Sequence, residues 1–316
     1  MSRLHEALRR AAGGEAPILP PDAGIDGGKD AGPSQQAFTS AWALDAQPGE
    51  GQAAAAGAAG QAAGGDLAAT LFRTKPFEGE RHLANEKLVL SITTTGAPDL
   101  SVAVEQYRKL AATLHHAQGE RGLKLVMVTS TNPGEGKSLT ASNLSLTLSG
   151  SYERRVLLVD GDLRRPSLHD VFRVPNSTGL SDSLLANHAQ GGLAVFEVAQ
   201  RMSLLPSGNP MADPTGILTS AAMRRLLEAA RARYDWTIVD TPPVGLLSDA
   251  RHLSDMVDGV LLVVEAGVTQ YQEILKAIDI VGRERLLGVV LNRLPYAQNT
   301  THYYSQYYGR PRAAGS

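Results

Sequence analysis

The chain has 316 residues, 43% of them hydrophobic and 20% charged, with a net charge of −2 and no cysteine. That balance excludes a global basic field for nucleic acid, and the lack of cysteine excludes disulfides, thiolate zinc sites and cysteine nucleophiles. No apolar run approaches the roughly 18–20 residues that span a bilayer, and no apolar core follows the basic N-terminus as in a signal peptide, so a cytoplasmic location is expected.

Residues 1–12 read as a short amphipathic helix, with Leu4, Ala7, Leu8 and Ala11 on one face and Glu6 four residues before Arg10. So short a helix is marginal alone; it is either a fraying terminus or a docking peptide that folds on a partner. Residues 13–70 form a low-complexity linker, which between 13 and 68 carries twelve Gly and seven acids against one Lys. A single folded domain is expected over 71–295, followed by a tail, 296–316.

Within the domain, Leu88–Thr93 alternates like a short strand, and Val104, Tyr107, Leu110, Ala111 and Leu114 give 101–118 helical spacing. Strands are then expected at Lys124–Ser130, Arg155–Asp160, Met202–Pro206, Trp236–Asp240, Gly259–Glu265 and Leu286–Asn292, with helices near 138–149, 216–233 and 269–284. Most of these strands are continuous apolar runs, which suits burial on both faces. The alternation predicts a doubly wound, mostly parallel α/β sheet with its ligand beyond the carboxyl ends of the strands.

Three motifs fall at such ends. Ser130-Thr-Asn-Pro-Gly-Glu-Gly-Lys-Ser138 follows a strand and opens a helix, the context of a P-loop. Its candidate ATP-binding residues are Asn132, Pro133, Gly134, Glu135, Gly136, Lys137, Ser138 and Leu139. The glycines let backbone N–H groups approach phosphate, Lys137 supplies charge to the β- and γ-phosphates, and Ser138 offers a hydroxyl to Mg²⁺. Thr131 stands where the usual pattern has its first Gly. The second motif, Val156-Leu-Leu-Val-Asp160-Gly-Asp162, ends a strand in paired carboxylates. The third ends at Asp240, followed by Thr241, Pro242 and Pro243, which cannot continue a central strand. Arg164 and Arg165 are read equally as surface charge or as groups that steady phosphate or the adjoining loop.

Five of the nine tyrosines, Tyr296, Tyr303, Tyr304, Tyr307 and Tyr308, lie in the last 21 positions among polar residues. Without an apolar neighbourhood they read as accessible phenols. The alternatives are stacking on a neighbouring surface or RNA binding, and only Arg310 and Arg312 supply nearby basic charge for the latter.

In this order, STNPGEGKS, VLLVDGDLRRP and YDWTIVDTPPV resemble the Walker A, A′ and B motifs of the bacterial tyrosine kinases (BY-kinases) of capsule and exopolysaccharide synthesis, a branch of the MinD/ParA-like superfamily. Leu205-Pro-Ser-Gly-Asn-Pro210 and Leu287-Gly-Val-Val-Leu-Asn292 resemble further family segments, and the likeness covers about residues 97–308. The second lysine of the ParA/MinD signature is replaced by Asn132.

The resemblance implies ATP with Mg²⁺ and autophosphorylation of the tail tyrosines in trans. It gives catalytic roles to Lys137, Asp160, Asp162 and Asp240. Asp160 is its first choice as base, and Ser138, Asp162 and Asp240 are its metal residues. It also implies a homo-oligomer, a ring in the family. The ring motif E-x-x-R-x-x-R is matched by Glu105 and Arg108, while Ala111 replaces the last Arg. The implied partners are a membrane polysaccharide co-polymerase or chain-length determinant, which would recruit the chain to the inner face of the membrane, and a cognate tyrosine phosphatase. Nucleic acid is not among them. The competing readings are an ATPase switch and a silent scaffold.

Overall fold

The computed structural model describes residues 71–76, 100–185, 193–245 and 249–294. The expected helix at 1–12, the linker, the alternating segment 88–93 and the five tail tyrosines lie outside these residues.

The described strands are β1 Phe72–Pro76, β2 Leu125–Ser130, β3 Val156–Asp160, β4 Leu193–Ala199, β5 Met202–Leu205, β6 Trp236–Asp240, β7 Gly259–Glu265 and β8 Leu286–Asn292. They form one sheet in the order β1-β4-β5-β3-β6-β2-β7-β8. From β5 to β8 every neighbouring pair is parallel. β4 is antiparallel to β5, and β1 is parallel to β4, so the two strands at that margin run opposite to the other six. The described helices are α1 Leu100–Arg121, α2 Lys137–Ser151, α3 Leu168–Phe172, α4 Leu180–Leu185, α5 Thr215–Leu218, α6 Ala221–Arg233, α7 Asp249–Ser254 and α8 Tyr271–Val281, and a 3₁₀ turn spans Arg283–Arg285. Among the described residues, no helix is long and apolar enough to cross a membrane.

The central strands are buried along their length and mostly apolar because successive residues feed opposite cores. Leu125 and Met127 of β2 join Leu157 and Val159 of β3 under Met223 and Leu226 of α6 and Ile274 of α8. Val126 and Val128 join Leu158 and Ile238 against Leu110 and Leu114 of α1 and Leu144 and Leu148 of α2. The result is a three-layer α/β domain with the expected mostly parallel sheet.

Two expectations need correction. The single helix over 216–233 is broken: α5 ends at Leu218, and Ser220 caps α6 by accepting the Met223 N–H at 3.2 Å. The sequence also gave no warning of β1 and β4. β4 alternates between buried and half-buried residues at the sheet margin, so it lacks the apolar run that announces a central strand.

The order of the central strands positions the site. β2, β3 and β6, which carry the three motifs, are far apart in sequence but adjacent in the sheet as β3-β6-β2. The register sets Asp160 beside Asp240, and Asp240 beside Val128, two residues before the phosphate loop.

Candidate active site

β2 ends at Ser130 and α2 begins at Lys137, so residues 131–136 form a tight loop. Gly134 and Gly136 have φ of 85° and 95°. These left-handed conformations suit glycine, and they turn the backbone into an anion-binding nest. Pro133 and Gly134 are exposed at the mouth of the loop. Asn132 is engaged elsewhere: its backbone N–H donates to Glu135 Oε2 at 2.9 Å and its side-chain amide to Glu273 Oε2 at 3.1 Å.

Lys137 Nζ lies 3.1 Å from Asp162 Oδ2 and 3.8 Å from Asp240 Oδ1, and it donates to the Ser138 hydroxyl at 3.2 Å. Burial works against the ammonium, but Asp240 and then Asp162 outweigh it and hold the pKa above the ordinary lysine value. The lysine is therefore charged and neutralised from within.

The three aspartates differ. Asp160 is wholly buried, and its Oδ2 accepts the N–H groups of Ser167 at 3.1 Å and Leu168 at 3.0 Å. Its Oδ1 accepts only the longer Asp162 N–H, at 3.3 Å. Burial first, and the Asp240 charge next, push its carboxyl up to about 7. Asp162 caps its own turn by accepting the Arg165 N–H at 3.0 Å, and its other oxygen faces Lys137. Asp240 is also wholly buried, and neither of its oxygens has a hydrogen-bond partner. Burial raises its pKa, opposed chiefly by Lys137.

Gly161 keeps the acids together. Its N–H donates to the Asp240 carbonyl at 2.8 Å, and a Cβ there would stand 2.8 Å from that same oxygen. Any side chain at 161 would prise the two strand ends apart.

Among the described residues, no three His, Cys, Asp or Glu side chains form a metal cage of their own. Ser138, Asp162 and Asp240 instead bring hard oxygens together beside the loop, a donor set that suits Mg²⁺ shared with phosphate oxygens and water. The two oxygens of Asp240, buried without a hydrogen bond and with the Lys137 ammonium 3.8 Å away, are the feature such an ion would satisfy.

The structure places the remaining expected residues apart from this cluster. Arg164 donates to the Ala212 carbonyl and lies 3.8 Å from Asp213, while Arg165 is exposed, so Arg164 steadies the adjoining loop. Glu105 and Arg108 pair with each other at 3.5 Å on α1, with Arg108 exposed. Ala111 is wholly buried in the core, so the third position of that spacing does not share their exposed face.

Sequence reasoning missed Ser167, whose hydroxyl donates to that of Ser138 at 3.2 Å. It also missed Asn292 as a loop contact: its amide donates to the Glu135 carbonyl at 2.7 Å. Asn292 ends a parallel strand as Asp160 and Asp240 do, and that signal could have found it. Thr269 and Glu273, near the start of α8, carried none.

This geometry defines a P-loop nucleotide site at the carboxyl edge of a doubly wound sheet. Residues 123–314 match the profile of the ParA family, described as NUBPL iron-transfer P-loop NTPase. The tyrosine-protein kinase YwqD of Bacillus subtilis is 34% identical over 206 residues, covering 65% of this chain and 86% of that protein. The tyrosine-protein kinase CpsD of Streptococcus agalactiae is 31% identical over 192 residues, covering 60% and 83%. The solved kinase domain of the Escherichia coli tyrosine kinase ETK superposes with a TM-score of 0.57 at 29% identity, covering 66% of this chain and 82% of that one. The chain thus belongs to the bacterial tyrosine-protein kinases, within the ParA family of P-loop NTPases. No cysteine is present to hold an iron–sulfur cargo through thiolates.

Proposed function

We propose that the chain is an ATP-dependent protein-tyrosine autokinase that phosphorylates its C-terminal tyrosine cluster in trans and thereby regulates capsule or exopolysaccharide synthesis and export. The observation that carries this reading is the meeting of Lys137, Asp162 and Asp240 beside the phosphate loop in a chain of the tyrosine-kinase family.

Phosphoryl transfer passes through a loose transition state, so positioning and charge neutralisation carry most of the catalysis. The backbone of 134–139 receives the β- and γ-phosphates. Lys137 leaves its aspartates to face them, because the polyanion offers more charge than the carboxylates it releases. Ser138 and Asp162 would hold Mg²⁺ directly and Asp240 through water. When bound, the ion supplies further neutralisation of the transferring group. Asp160 is the proton acceptor for the tyrosine hydroxyl. A carboxyl pushed up to about 7 is a stronger base than an ordinary one, though still weak beside a phenol of pKa about 10, so proton loss comes late. Because Asp160 is wholly buried, the 161–167 turn must open for the phenol to reach its Oδ1.

Each phosphate adds about −1.5 to −2 charges to the tail, and their repulsion disperses assemblies that the unphosphorylated tail stabilises. Glu105 and Arg108 are the proposed contacts of the homo-oligomer. A membrane polysaccharide co-polymerase recruits the chain to the membrane, and a tyrosine phosphatase resets it.

The test is mass spectrometry and anti-phosphotyrosine detection on the purified full chain with ATP and Mg²⁺, with and without a cytoplasmic fragment of a co-polymerase. Phosphate on Tyr296, Tyr303, Tyr304, Tyr307 or Tyr308, lost in Lys137→Ala, is expected. Release of inorganic phosphate with no phosphotyrosine under any condition would replace the kinase reading by an ATPase switch.

A further inference from the structure

The phosphate loop has a second flank, away from the aspartates, formed by the ends of β7 and β8 and the start of α8. Glu135 lies at its centre. A Glu directly between the two glycines of the nest places a carboxylate next to a binding site for a polyanion, which is electrostatically adverse unless the side chain is turned away and held. The structure shows how it is held. Glu135 is 3% exposed. Its Oε2 accepts the Asn132 N–H at 2.9 Å, closing the loop on itself, and its Oε1 accepts the Thr269 hydroxyl at 2.5 Å.

From Thr269 the connection continues in a ring. The Thr269 hydroxyl accepts the Glu265 N–H at 3.0 Å, and the Glu265 carboxylate pairs with Arg293 at 2.8 Å. The Ala266 N–H donates to the Asn292 carbonyl at 2.9 Å. The Asn292 amide returns to the loop by donating to the Glu135 carbonyl at 2.7 Å. The amide packs so closely that a Cβ on Gly136 would lie 2.1 Å from its nitrogen. Glu135 is thus gripped at its side chain by the turn between β7 and α8 and at its backbone by the end of β8. Its peptide units are part of the nest itself.

We propose that Glu135 is a positioning residue for phosphoryl transfer, which fixes the phosphate-binding nest by anchoring it to Thr269 while Asn292 holds its carbonyl. This deepens the kinase reading and rests on it for the reaction, but the brace acts at the earlier step of nucleotide binding. A nest held before the ligand arrives loses less conformational freedom on binding. Loosening it weakens ground-state and transition-state contacts with the phosphates alike, so KM rises more than kcat falls.

The experiment uses the full chain and five proteins: wild type, Thr269→Val, Thr269→Ser, Glu135→Gln and the double variant Thr269→Val/Glu135→Gln. MgADP affinity is read with a fluorescent ADP analogue, thermal unfolding is followed without nucleotide, and phosphotyrosine formation is followed against ATP concentration. Thr269→Val deletes the donated hydroxyl at nearly constant volume, and Glu135→Gln removes one of two accepting oxygens. Each is expected to weaken MgADP binding roughly tenfold, as the loss of a hydrogen bond to a charged group implies. Combining them is expected to cost little more than either alone, because both break one connection. Thr269→Ser keeps the hydroxyl and is expected to restore tight binding. Unchanged MgADP affinity in both Thr269→Val and Glu135→Gln, with only a lower unfolding temperature, would overturn the proposal and reduce the brace to a stability element. Should Thr269→Val fail to fold, Glu135→Gln decides alone. Wild-type binding of MgADP without any phosphotyrosine would defeat the kinase reading and leave the brace to be judged on affinity.

Discussion

The two ends of the same sheet treat carboxylates in opposite ways. At the amino end, Asp258 accepts the N–H groups of Lys124 and Leu125, both at 2.8 Å, and pairs with Arg231. Asp235 accepts the Arg155 N–H at 2.8 Å and pairs with its guanidinium at 3.1 Å. Burial alone would raise both carboxyls, but these hydrogen bonds and charges hold them below the usual range. At the carboxyl end, Asp160 and Asp240 are raised. The backbone direction explains the contrast. Parallel strands begin in free N–H groups, which a carboxylate can accept, and end in carbonyls, which it cannot. An acid at the amino end staples the fold. An acid at the carboxyl end lacks donors and must find a lysine, a loop amide or an ion, which is why that end carries the chemistry.

The largest test of this contrast is Lys137→Ala, which leaves the carboxyl-end acids without their cation. Phosphotyrosine on the full chain should fall about a thousandfold or more, read by quantitative anti-phosphotyrosine detection.

The second test applies one chemical change at both ends. Asp258→Asn should lower unfolding stability by about 1–2 kcal/mol, since it loses charge-assisted hydrogen bonds. Asp240→Asn should cost the nucleotide-free chain less than Asp258→Asn does, because relief of a buried carboxylate with no hydrogen-bond partner offsets the lost attraction to Lys137 at 3.8 Å. The same variant should lose about a hundredfold in transfer. Denaturant titrations without nucleotide check the unequal losses; equal losses at both ends would break the comparison.

The third is the pH profile. The pKa of Asp258 lies lower folded than unfolded, so its stabilisation is present above pH about 4 and is lost as pH falls through the folded value. Asp160 is the reverse: its folded pKa of about 7 exceeds its unfolded value, so stability is fullest below pH about 4 and is lost as pH rises to about 7. The nucleotide-free chain should therefore melt at lower temperature at pH 8 than at pH 5 (roughly the two sides of that titration). The gap between wild type and Asp258→Asn should stay constant across that range and close in stronger acid.

The smallest effect is expected at neither end. Arg108→Ala should change stability by less than about 0.5 kcal/mol, because its pair with Glu105 is solvent-exposed. Light scattering would show whether it shifts self-association, the sharper readout of the proposed contact.

Much of the site could be read along the chain. Each run that stops at Asp160 or Asp240, and the Gly-rich turn ahead of Lys137, follows from local rules: a strand buried on both faces must be largely apolar, and the first charged residue marks its end. The margins were less legible. β4 carries Glu197 within a half-buried pattern, and β1 has only Phe72 wholly buried among its described positions, so neither shows the signature of a central strand. The break between α5 and α6 depends on one capping hydroxyl, which periodicity does not report.

The sequence alone determined the central strands of this protein, the long helices that cover them and the residue types at the strand ends, because burial and backbone sterics act over a few residues at a time. Tertiary structure alone decided which of those ends became neighbours. Only the order β3-β6-β2 sets Lys137 against Asp162 and Asp240, and only the arrival of β7 and β8 gives Glu135 the hydroxyl and amide that hold it. Those partners are separated from the loop by more than a hundred residues, and charge and hydrogen bonding act through space, where sequence spacing carries no distance.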